Sequence, residues 1–142
     1  MKKSLLLTIL LMVWCAPACK TYTEGLQSSV TRAKETVALG AMRTIVIAEQ
    51  TYAATNEGNF GTFEQLVNAG YLNSQFNQEK PKLGGYILTL TVTGNGVAPA
   101  YAINADPEPP LEGRHFFNDS TTNLTRYNLT RAAGPSDPIV TE

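Results

Sequence analysis

The sequence predicts an α+β fold in which one long N-terminal helix packs on a small antiparallel β-sheet of three to four strands. Three observations lead there. Apolar residues recur every three or four positions over residues 26–55, the spacing of one helix face. From Tyr86 the period changes to two, the spacing of a strand with one apolar side. Gly94-Asn95-Gly96 then separates this strand from a second one, a hairpin signal.

In the helix, Leu26, Val30, Ala33, Val37, Ala41, Ile45, Ala48 and Tyr52 form the expected inward stripe, widened by Ala38, Met42 and Val46. Arg32, Lys34, Glu35, Arg43, Glu49 and Gln50 are expected to lie mostly away from it. Proline is absent from the segment, and Gly40 is its one weak helix former of note. At 1.5 Å per residue the helix is roughly 45 Å long, with a polar first half and a second half suited to packing. Asn56-Glu57-Gly58-Asn59 and Gly61 end it. Thr62 and Gln65 have the spacing of a capping box, in which each side chain bonds the other's amide, so a short helix over residues 63–69 follows and stops at Gly70. Tyr71 and Leu72 would tuck the loop onto the core.

The first strand covers residues 86–93, with Tyr86, Leu88, Leu90 and Val92 inward. Residues 100–105 are its antiparallel partner, with Tyr101 and Ile103 inward, and residues 106–113 (DPEPPLEG) form a proline-rich loop. Arg114 opens a third strand, residues 123–129 make a fourth or a return, and residues 132–142 read as a flexible tail.

Ahead of the domain, residues 1–18 have the order of a signal peptide. Lys2 and Lys3 are followed by a short apolar run and by the small residues Ala16-Pro17-Ala18. The run is about 15 Å long as a helix, too short for a hydrocarbon core of about 30 Å. Cys19 would be the first mature residue and the sole mature cysteine, since Cys15 is discarded. Its setting resembles a bacterial lipobox, which would make Cys19 the lipidation site. Ala16 stands where such boxes usually carry Leu, and the same small residues suit an ordinary signal peptidase, which would leave Cys19 free. The expected organisation is a signal peptide over 1–18, a tether over 19–25, an α+β domain over 26–131 and the tail.

Cleavage removes Lys2 and Lys3 from the eleven basic residues, leaving nine against twelve acidic ones. That balance argues against nucleic acid, which wants a basic face. The one histidine, His115, is open to reading as a base, but beside Phe116 and Phe117 a structural strand position fits better. No zinc-ligand spacing or phosphate loop appears, Gly84-Gly85 lacking the Lys-Ser/Thr that would follow. Asp106, Glu108, Glu112 and Asp119 gather around the proline-rich loop as a solvated acidic segment or a hard-cation site. No nucleophile with a base beside it is readable, so the chain is not expected to be an enzyme.

Several of these segments carry a family resemblance. Residues 38–72 (ALGAMRTIVIAEQTYAATNEGNFGTFEQLVNAGYL) place an A-E-x-x-Y helix end before a glycine-rich turn and a short helix closing in G-Y-L. Arg114-His115-Phe116-Phe117-Asn118-Asp119, followed by Asn123-Leu124-Thr125-Arg126-Tyr127, has the form of a closing hairpin. Together these resemble the globular half of type IV pilins and the type II secretion major pseudopilin, over roughly residues 30–130. The resemblance implies a structural or interaction protein of the cell envelope: an accessory of a pilus or secretion machine, or a surface filament subunit. Its partners would be envelope proteins or further copies, and Cys19 would tether it to the outer membrane or leave it periplasmic or extracellular. The alternative is a surface module binding a ligand or calcium through loops 56–62 and 106–113, with Asp106, Glu112 and Asp119 as metal candidates. One departure stands out. The apolar stem of pilins is missing, because residues 19–36 are polar.

Overall fold

The computed structural model describes residues 16–94 and 98–141. The expected signal sequence through Cys15 lies outside those residues, as do Asn95 and Gly96 of the expected turn. The described chain divides between Ala33 and Lys34 into two units.

In the first unit the described backbone is helical, part of α1 (Ala16–Thr55). Residues 19–25, expected as a tether, are therefore helical too. Pro17 falls in the first turn, where its missing N–H has no helical partner to lose, and Gly25 alone costs about 1 kcal/mol. Residues 25–30 are all exposed, Leu26 and Val30 at about half (51% and 49%). Among the described residues no helix is long and apolar enough to cross a membrane.

The second unit is α+β, as expected: the long helix packs against an antiparallel sheet. After α1 come α2 (Phe63–Asn68), a 3₁₀ turn (Ser74–Phe76) and five strands: β1 (Lys82–Leu83), β2 (Tyr86–Thr93), β3 (Ala100–Pro107), β4 (His115–Asp119) and β5 (Arg126–Asn128). Each strand pairs with the next, in the order β1-β2-β3-β4-β5. The capping box forms as expected: Gln65 N donates to Thr62 Oγ1 (3.3 Å), and Thr62 N donates to Gln65 Oε1 (2.8 Å). Gly70 takes the left-handed φ of +78° that stops α2. Met42 and Ile45 of α1 meet Leu66, Tyr86, Ile103 and Phe116 in the core, and Tyr101 is inward as expected.

Three expectations need correction. The sheet has five strands rather than three to four, because Gly84 (φ +59°) and Gly85 (φ +80°) make a two-residue turn that folds β1 onto β2. Only a glycine fits at 84, where a Cβ would lie 2.8 Å from a Val37 methyl. The buried line of α1 runs through Glu35, Ala38, Met42, Ile45 and Glu49, while Ala33 and Val37 of the expected stripe are exposed. The two lines have the same helical spacing and share Ile45; the sheet covers the side that carries Ala38 and Met42, which the expected stripe held only at its margin. Residues 132–142 do not fray over their described length. Val140 N donates to the Thr125 carbonyl (2.8 Å) and Tyr127 N to the Pro138 carbonyl (2.9 Å), which adds this segment to the β5 edge. Asp137, buried, accepts from Asn128 Nδ2, Gly134 N and the Arg131 guanidinium. Those bonds, Asn128's first, hold its carboxyl below the usual range.

Candidate functional site

Two buried glutamates of α1 each hold a loop, Glu35 the one before β4 and Glu49 the one after α1. Glu35 receives Arg114 along both edges: Oε1 accepts from the Arg114 backbone N–H (3.0 Å), and Oε2 from Nε (3.0 Å) and Nη2 (2.8 Å). The guanidinium also lies over the rings of Phe116 (5.3 Å) and Tyr127 (5.2 Å). The Tyr86 hydroxyl donates to the Arg114 carbonyl (3.1 Å), so one residue gathers α1, β2, β4 and β5. Burial first, then the charge of Glu35, pushes the Tyr86 hydroxyl well above its ordinary range, with Arg114 opposing.

Glu49, with no exposed surface, is held differently. Its Oε2 accepts from Gly61 N (2.9 Å), and its Oε1 has no partner. Burial raises its pKa from 4.5 to about 7, against the opposing hydrogen bond from Gly61. The charge of Glu49 adds to burial in pushing Tyr101 up to about 12. Gly61 has little room, since a Cβ there would meet Tyr52 and Leu66 at 3.2 Å. The bond to Glu49 thus holds the loop after α1 against the helix that precedes it.

That loop frames an open groove of about 840 Å³ between the end of α1, the start of α2 and Val92 of β2. Tyr52 and Phe60 supply partly exposed aromatic surface, and Asn56, Asn59 and Gln65 supply amides. Glu57 and Glu64 bring two carboxylates, and none of the described lining residues is a lysine or arginine. Glu57 sits in the left-handed region (φ +56°) at the position after α1 where glycine or asparagine is usual.

The metal candidates do not converge. Asp106 Oδ1 lies 2.6 Å from His115 Nδ1, across the β3–β4 pair. Asp119 stands opposite Ala102, four residues along β3 from Asp106 and so about 13 Å away. Its Oδ1 accepts from Thr121 N and Thr122 N, closing the turn to β5. Glu112 is exposed on the loop, and Glu108 pairs with Lys82. Among the described residues no three His, Cys, Asp or Glu side chains form a metal-holding group. His115 is a strand residue as expected, and its neighbour across the pair is a carboxylate. Cys19 lies in α1, where only the backbone is described.

Sequence reasoning missed Glu35 and Glu49. The signal for both is position: each falls on the line through Met42 and Ile45. No protein-family model, curated protein or solved structure matches the chain.

Proposed function

We propose that this chain is an exported, envelope-associated protein of pilin-like kind that works through protein contacts rather than catalysis. In this reading it is an accessory of a type IV pilus or type II secretion system, or a surface filament subunit, tethered at Cys19. The support comes from α1. From Cys19 onward the described backbone is helical, and positions 25–30 are all exposed, Leu26 and Val30 among them. Leu26 and Val30 lie one turn apart on the same side of the helix, and adjoining apolar side chains of this kind are ones a neighbouring protein would cover. The order of helix, capped turn and antiparallel hairpins agrees with the resemblance carried by residues 38–72 and 114–127.

Site-specific photo-crosslinking in the native cell tests this reading. A photoreactive residue at Leu26 or Val30 is expected to capture an envelope protein or a second copy, whereas one at exposed Glu79 captures neither. Absence of any adduct from Leu26 and Val30 would overturn it.

A further inference from the structure

We propose that the groove framed by the end of α1, the start of α2 and β2 binds an oligosaccharide, neutral or bearing amino groups. This goes beyond the assembly reading and does not depend on it. A sugar ring offers an apolar C–H face and a rim of hydroxyls, most of which donate as well as accept. Opposite such a ligand a site needs aromatic surface beside planar acceptors and a few donors. The groove has both. Tyr52 and Phe60 are partly exposed along it. Asn56 spends its amide hydrogens on the Tyr52 carbonyl (2.8 Å) and Thr55 Oγ1 (3.0 Å), which leaves its Oδ1 as an acceptor. Gln65 spends its Oε1 on Thr62 N (2.8 Å), which leaves its NH₂ as a donor.

Charge narrows the ligand further. Glu57 and Glu64 disfavour phosphate, sulfate and acidic sugars, and no cation among the described lining residues offsets them. A basic peptide would satisfy two carboxylates, but amides and hydroxyls outnumber them here, which suits a polyhydroxylated chain better. The volume, about 840 Å³, lies within the range of small-ligand sites. Glu57 also offers a clean probe of the groove. Glycine would relieve its left-handed backbone, so exchanging it for glycine removes the carboxylate from the groove without straining the loop.

The test is titration of the ¹⁵N-labelled full chain in detergent with chitohexaose, cellohexaose and, separately, hexalysine, read by NMR. Saturable shifts at Tyr52, Asn56, Phe60 and Gln65 with either sugar are expected. Glu57→Gly should weaken sugar binding about tenfold, the effect of losing one hydrogen bond to a charged group, while the protein melts no lower than the parent. Glu64→Gln, which keeps the planar shape, should weaken it less. Hexalysine binding with no sugar binding would overturn the proposal. So would shifts scattered outside the groove, or sugar affinity unchanged in Glu57→Gly.

Discussion

Glu35 and Glu49 sit on the same buried line of α1, and only Glu35 faces a cation. At one end of the packed helix the carboxylate meets a guanidinium and a backbone N–H, and accepts three hydrogen bonds from the one residue Arg114. At the other end a carboxyl with no exposed surface has one amide donor and one idle oxygen. Burial asks the same of both, either a partner or a proton. The first is supplied with a partner, and the second holds its proton up to about pH 7. One helix thus carries a lock held by charge and a lock that depends on pH, and the second lies under the loop that frames the groove.

The largest effect is expected from breaking the charged lock. Glu35→Ala leaves the Arg114 guanidinium and N–H without their acceptor, and should cost about 3 kcal/mol in urea or thermal unfolding. Arg114→Ala should cost a similar amount. A Glu35→Met, Arg114→Met pair should cost clearly less than the two single changes added, because neither charge is then left alone.

The second lock is probed by pH. The folded value for Glu49, about 7, lies above its ordinary 4.5, so between these values the native state holds the extra proton. Stability from this group is therefore fully present below about pH 4.5 and falls as pH rises through 7, by on the order of 3 kcal/mol. Glu49→Gln should remove that decline, becoming more stable than the parent above pH 7.

Smaller changes act on the loop itself. Gly61→Ala crowds Tyr52 and Leu66, and should cost about 1 kcal/mol while loosening the amide that Glu49 holds, seen as faster hydrogen exchange at residue 61. Glu57→Gly relieves a left-handed backbone at the price of chain entropy, and should raise stability by about 0.5 kcal/mol.

Much of the fold was legible because it is written locally. The change of period at Tyr86, the Thr62–Gln65 box and the inward Tyr101 and Ile103 all follow from spacing over a few residues. The fifth strand was legible too, in the Gly84-Gly85 dipeptide, a glycine pair that suits a two-residue hairpin turn as well as a phosphate loop. The two locks were not. Arg114 is seventy-nine residues from Glu35, and no local pattern links them. The partner of Glu49 is a backbone amide, which has no signature in side-chain sequence at all. Charged residues on a helix are placed outward by default, and here both exceptions carry a specific bond that only the fold creates. The tail was misjudged for a related reason: Asp137 draws on Asn128, Arg131 and Gly134, which become neighbours only once β5 is in place.

Intact mass of the protein recovered from fractionated native cells tests the functional reading most directly. The expected result is a chain beginning at Cys19 and carrying acyl groups on that residue, recovered with the membrane fraction. A full-length chain retaining residues 1–18 and recovered from the cytosol would contradict export, and with it the envelope role proposed for the exposed helix of residues 25–30.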